Sequence, residues 1–275
     1  MTAINIVCQP SCVHVLTDGA MYDAEGYVTG IGTKVFTVPA WPGLVACRGP
    51  AFATAVIGQE LSWRYATFDS MVAGIENVLE DIVDEYTAFF PPEIELLLAG
   101  WSAERSRSEG YVIQTCAAPI TEEQLSELRA AGQTPIVPQP YELRRLPDAV
   151  TAPVVGHEIG CAAGYMGIDV NATPDRVIET MRLVLECQRH QYEDGYFVGG
   201  HAELTTVTPD GIQQRVLDRW PDEIGELITP GLPDWTAWNT EQPPAGLSRT
   251  QRRLAKKGKR AALRKHTFGP SLTLR

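Results

Sequence analysis

Four short runs of aliphatic and β-branched residues come before the first helical pattern in this chain, and this order restricts what it can fold into. Ile4–Cys8 and Cys12–Thr17 flank Gln9-Pro10-Ser11, a turn signal, and so predict a hairpin. Asp18-Gly19-Ala20 leads into a Gly-rich polar connection, followed by strand patterns over Gly32–Pro39 and Gly43–Cys47 that stop at Arg48-Gly49-Pro50. Helical spacing begins at Pro50, with Phe52, Ala55, Val56, Gln59 and Trp63 falling on one face. Asp69 then reads as the N-cap of a second helix whose stripe runs through Met71, Val72, Ile75, Val78, Leu79, Ile82, Val83 and Tyr86. Two amphipathic helices in a row must cover something, and the preceding strands are their natural partner.

Strand patterns return at Ile94–Trp101 and Gly110–Thr115, joined by a charged loop from Glu104 to Glu109. Residues 117–153 are rich in proline around a short helical piece, Thr121–Ala131, and read as an inserted excursion. Val154–Gly160 reads as a strand. Thr173-Pro174-Asp175 opens a helix to about Gln191, with the cap followed by proline that suits a first turn. Two strands, His201–Thr208 and Ile212–Leu217, close the body around Pro209-Asp210-Gly211. The organisation is therefore one α+β body over 1–220, a linker over 221–248 and a tail over 249–275.

Charge divides the chain. Residues 249–275 carry ten Lys or Arg and no Asp or Glu, leaving 13 of the 23 basic residues against all 34 acidic ones in 1–248, a formal −21. A body of that sign repels polyanions, so nonspecific contact with one falls to the tail, which can equally lie on an acidic face of a neighbouring copy. No apolar stretch is long enough for a membrane span, and the start lacks the basic and apolar regions of a secretory signal. A chain outside membranes is expected, cytoplasmic or, alternatively, in a virion. The six cysteines form no C-x-x-C pair and the histidines do not cluster, so neither a metal nor another cofactor is expected, and the cysteines read as small buried hydrophobes.

Several segments carry a likeness to one family. Thr17-Asp18-Gly19-Ala20, Gly32-Thr33-Lys34-Val35-Phe36, Leu44-Val45-Ala46-Cys47-Arg48-Gly49-Pro50-Ala51 and Gly195–Gly211 resemble successive segments of the proteasome-type N-terminal nucleophile (Ntn) hydrolases, over roughly residues 2–219. Counted from Thr2, Asp18 is seventeenth and Lys34 thirty-third, which are that family's positions for its catalytic Asp and Lys. The resemblance implies a four-layer αββα sandwich, Thr2 as nucleophile and base after removal of Met1, Lys34 as electrostatic tuner, Asp18 as its orienter and the Gly49 amide as oxyanion donor. The chemistry implied is peptide or amide hydrolysis through an acyl-enzyme. A chain-terminal α-amine, with a pKa of about 7.7–8.0, can take the threonine proton near neutral pH.

The chain also departs from the family. Gly160-Cys161-Ala162 stands where a Gly-Ser-Gly turn is usual, Asp194 or Gly195 falls near the second supporting pair, Val198 replaces a Ser, and Arg48 takes the slot of the first oxyanion-turn Gly. These differences support an alternative expectation: a catalytically inactive Ntn-fold assembly protein, a ring, shell or phage virion component. In either case copies of itself are the expected partners, with a peptide substrate added if the chain is active.

Overall fold

The computed structural model describes residues 2–238 apart from 39, 87, 89–92 and 118–138. It is a mixed α+β fold whose strands pair antiparallel throughout. The opening hairpin forms as expected: β1 (Ile4–Gln9) and β2 (Cys12–Asp18) pair from Ile4↔Thr17 to Gln9↔Cys12, with Pro10 and Ser11 as the turn. Both strands are buried along their whole length, which a central strand covered on both faces requires. The expected polar connection instead contains a two-stranded ribbon, β3 (Ala20–Tyr22) with β4 (Val28–Ile31). Its strands, of three and four residues, are too short to show a period of two.

β5 (Val35–Val38) and β6 (Gly43–Arg48) lead to α1 (Ala53–Arg64), α2 (Phe68–Gly74), a 3₁₀ turn (Ile75–Asn77) and α3 (Leu79–Glu85). β7 (Glu95–Ser102) and β8 (Arg107–Gln114) follow, then β9 (Arg144–Arg145) and β10 (Ala149–Ala152). The chain ends its described part with α4 (His157–Ala163), α5 (Pro174–Arg189), β11 (His201–Thr208), β12 (Gly211–Arg219) and a helical turn at Trp235–Trp238. One five-stranded sheet runs β10-β1-β2-β11-β12 and the other β5-β6-β7-β8-β9.

Strand alternation sorts the apolar side chains of the two five-stranded sheets into three clusters, and a small fourth one joins Ala20 and Val28 of the ribbon to Ile228. Ile4, Ile6, Val13 and Val15 of the first sheet meet Leu44, Ala46, Leu97 and Val112 of the second. On the other face of the first sheet, Val7, Leu16 and Leu204 meet Val177, Met181 and Leu185 of α5. On the other face of the second, Val45, Leu96, Leu98 and Ile113 meet Ile57, Leu61, Met71, Ile75 and Ile82 of the helices. Among the described residues, no helix is long and apolar enough to cross a membrane.

Four sequence expectations need correction. The buried face of α1 is Ala53, Thr54, Ile57, Gly58 and Leu61, while Phe52 and Trp63 are exposed. The face is set by where the helix can approach the sheet closely, and small residues permit that approach although they contribute little hydrophobicity. Trp63→Gln is therefore expected to change stability by no more than about 0.5 kcal/mol, against about 0.5–1.5 kcal/mol for the smaller change Ile57→Val, in paired urea denaturations. Second, the N-cap of α2 is Thr67, in a reciprocal capping box with Ser70; Asp69 lies inside the helix, buried, and accepts from Ser102 Oγ and the Ala103 amide. The long stripe is also broken at Gly74, a poor helix former. Third, His157–Ala163 is helical rather than extended, closed by Gly164 at φ +72°. Fourth, Cys116 and Cys161 are exposed; Cys8, Cys12, Cys47 and Cys187 are buried as expected.

The end of the 117–153 stretch supplies an edge strand to each sheet, β9 on β8 and β10 on β1. The expected helix over Thr121–Ala131 lies outside the described residues, as does the basic tail over 249–275. Past Pro221 the chain stays docked: the Val28 amide donates to Glu226 O at 2.9 Å, Tyr27 bridges to Leu227, and Ile228 is buried.

Candidate active site

Asp18 ends β2 with its carboxylate fully buried and bonded to donors on both oxygens. Oδ1 accepts from Lys34 Nζ at 2.8 Å and from the Ala3 amide at 3.1 Å; Oδ2 accepts from the Gly199 and Ala20 amides at 3.2 and 3.3 Å. Lys34 is 8% exposed and sits immediately before β5. A buried ion pair persists only where further hydrogen bonds satisfy the ions, and the three amides provide this for the carboxylate.

Thr2 is half-buried, one residue from the amide that binds Asp18. Thr2 and Lys34 both line a cavity of about 480 Å³, whose wall also includes Met21, Cys47, Arg48 and Gly49. The three predicted residues Thr2, Asp18 and Lys34 are thus brought together, Asp18 from behind and the other two at the cavity surface. Gly49 has φ +148°, and a Cβ there would lie 3.2 Å from the Glu93 carbonyl oxygen, so the turn requires glycine. Among the described residues no carbonyl takes its N–H. The turn leads into α1, whose N-cap Phe52 makes no side-chain cap bond.

Cys47 shares the cavity wall, but burial, helped by Glu95, pushes its thiol up to about 12. Its thiolate population at neutral pH is negligible. Cys8 and Cys187 are pushed up to about 12 by the same cause. Ellman's reagent on the native protein is expected to modify Cys116 and Cys161 and spare Cys47, read by peptide mapping; rapid labelling of Cys47 would make it a rival to Thr2 as nucleophile.

The supporting positions behave differently. Cys161 is exposed on α4, with its sulfur 3.6 Å from His157 Nε2, and is not part of the cavity wall. Val198 has no hydroxyl to offer, but the next amide, Gly199, donates to Asp18. Sequence reasoning missed what holds this amide. Arg189 forms a bidentate pair with Asp222, both bonds 2.8 Å, and donates to the Val198 carbonyl at 2.8 Å; Asp222 also accepts from the Gly200 amide at 2.7 Å. The two side chains are 4% and 5% exposed. A lone Arg at a helix end and a lone Asp 33 positions later carry no local signal of pairing.

His201 was also missed as a neighbour of the site. Its ring lies against Gly19, where a Cβ would come within 2.4–2.7 Å of three ring atoms. Both ring nitrogens are buried and, among the described residues, without a hydrogen-bond partner. Burial lowers its pKa, opposed by Glu203 and Asp18 and assisted by Arg219 and Lys34. Because the folded value lies below the ordinary 6.5, the unfolded chain binds the proton first as pH falls. The associated stability is complete above 6.5 and is lost as pH drops from there through the folded value. His14, lowered mainly by burial, acts in the same direction. His201→Gln is therefore expected to lose less stability than the parent between about pH 7 and pH 5 in urea unfolding, with the His14 share remaining; identical pH profiles would contradict this assignment.

Compared with known proteins, the chain matches no family model and no curated protein.

Proposed function

We propose that the chain is a four-layer αββα sandwich of the proteasome-type Ntn class and hydrolyses amide or peptide bonds through an acyl-enzyme on Thr2, once the Thr2 α-amine is freed from whatever precedes it. One observation carries the reading: a buried Asp18–Lys34 pair whose carboxylate also grips the amide next to Thr2. In this scheme the Thr2 α-amine takes the hydroxyl proton as Oγ1 attacks the substrate carbonyl. The ammonium of Lys34 disfavours a second positive charge nearby and so keeps the amine neutral. The Gly49 N–H donates to the oxyanion that forms. Collapse of the tetrahedral intermediate expels the amine product, which takes the proton from the α-ammonium. Water, deprotonated by the same α-amine, then attacks the ester and releases the acid and Thr2.

Intact mass measured before and after a β-lactone probe tests this. The expected result is a chain beginning at Thr2 that gains one acyl group, with no gain in Thr2→Ala. A blocked or different first residue together with no adduct would overturn it.

The charge division favours a second reading, in which the fold serves assembly: an acidic body and a basic tail can join neighbouring copies. Deleting 249–275 and measuring the mass in solution checks this, with a smaller particle expected and an unchanged one counting against it.

A further inference from the structure

We infer that His201 is a positioning residue for Asp18 and Lys34, and that a proton taken up by its ring and shared with Glu203 loosens that pair; the effect on Thr2 rests on the threonine-hydrolase reading. Among the described residues, four of the six buried side-chain N and O atoms without a hydrogen-bond partner belong to three neighbours: Nδ1 and Nε2 of His201, Oε2 of Glu203 and Oγ1 of Thr17. Glu203 stands opposite Thr17 across β11 and β2 and two positions after His201. All three side chains therefore share one strand face, in step with Val15 and Val207, which meet the second sheet. Unpaired polar atoms between two sheets are costly, and one event relieves these. The neutral ring has a single N–H; the imidazolium has two, and the Glu203 carboxylate and the Thr17 hydroxyl beside it can accept them.

The ring is tied to the turn that seats Asp18. It lies directly on Gly19, the residue after Asp18. The Gly199 carbonyl accepts from the amides of Gly19, Ala20 and His201, each at 3.0 Å, while the Gly199 amide donates to Asp18. A ring drawn off Gly19 toward Glu203 takes its packing away from this turn. The charged groups that face His201 are Glu203 on its own strand, Asp18 on β2, Arg219 opposite it on β12 and Lys34 before β5. Burial, with Arg219 and Lys34, keeps the ring neutral to a lower pH than usual, against Glu203 and Asp18. Once charged, the imidazolium competes with Lys34 for the Asp18 carboxylate. The loosened arrangement is therefore the acid one, reached below the ordinary 6.5.

Two readouts on the full-length protein test this. In Thr2→Ala, NMR follows the His201 ring together with the Ala3 and Gly199 amides, which donate to Asp18, as pH is lowered from about 8 to about 5. The amide signals are expected to move with the midpoint of the ring; amides that stay still, or follow another midpoint, would overturn the proposal. In the parent, the logarithm of the β-lactone acylation rate is expected to fall with a slope of about two below that midpoint, one proton for the Thr2 α-amine and one for His201. His201→Gln should reduce the slope to about one, and equal slopes would overturn the proposal. Glu203→Gln removes a carboxylate that favours the imidazolium, so the ring and the amides should titrate at a pH about one unit lower. This variant carries the test if circular dichroism shows His201→Gln unfolded, and an unmoved midpoint counts against the proposal. Acylation with a slope of one in the parent removes the switch and leaves the threonine chemistry. Amides that titrate with the ring, without any acylation, keep the switch on Asp18 and remove the chemistry.

Discussion

Asp18→Ala is expected to lower the free energy of unfolding by about 3–5 kcal/mol, the range for breaking a buried ion pair by removing one partner. The substitution strands the Lys34 ammonium at 8% exposure and takes the acceptor from the Ala3 and Gly199 amides. Lys34→Met is expected to cost less, about 1–3 kcal/mol, because Asp18 keeps its three amide donors and a carboxylate so bonded tolerates burial. The ordering is more informative than either value. Urea unfolding at neutral pH that placed Lys34→Met at or above Asp18→Ala would mean that the amides do not hold the carboxylate. Both variants should also lose β-lactone labelling of Thr2 if the proposed chemistry is right, and that loss should be present in variants still folded by circular dichroism.

A loss of similar size, about 3–5 kcal/mol, is expected for Asp222→Ala, which leaves the Arg189 guanidinium buried and unpaired. Arg189 also stacks on Trp220, 4.6 Å from the ring centroid, so it cannot easily swing out to water. Asp222→Asn should fall between, since an amide can accept from Arg189 but brings donors of its own beside the guanidinium and the Gly200 amide. The damage should reach the site, because this pair fixes the turn whose Gly199 amide binds Asp18. Thermal unfolding of the single variants and of Asp18→Ala/Asp222→Ala gives the coupling: a sum of the single effects would show the two carboxylates to be independent.

These two carboxylates also mark how far the sequence could be read. Asp18 was legible because it closes a run of aliphatic and β-branched residues and precedes a turn glycine, and its spacing from Thr2 and Lys34 matches a known arrangement. Asp222 was not, since its partner lies on a helix that the sequence describes well but whose last residue turns inward to a loop 33 positions away. The strands around Thr208-Pro209-Asp210-Gly211 and the helix from Pro174 were legible for local reasons, turn chemistry in one case and a proline at the first helical position in the other. The face of α1 was not, because Thr54 and Gly58 are buried while Trp63 is out, and only the sheet beneath decides that. His201 next to Gly19 is likewise a contact across 182 positions that no pattern announces.

β9 and β10 are separated by only Leu146, Pro147 and Asp148, yet one completes the edge of the second sheet and the other the edge of the first. The crossing is tied at both ends, with the Leu146 amide on the Gly110 carbonyl and the Cys8 amide on the Asp148 carbonyl. A connection this short works as a rivet. The two sheets cannot slide over one another without tearing it, so at this margin their amides should exchange with solvent as one cooperative unit rather than sheet by sheet.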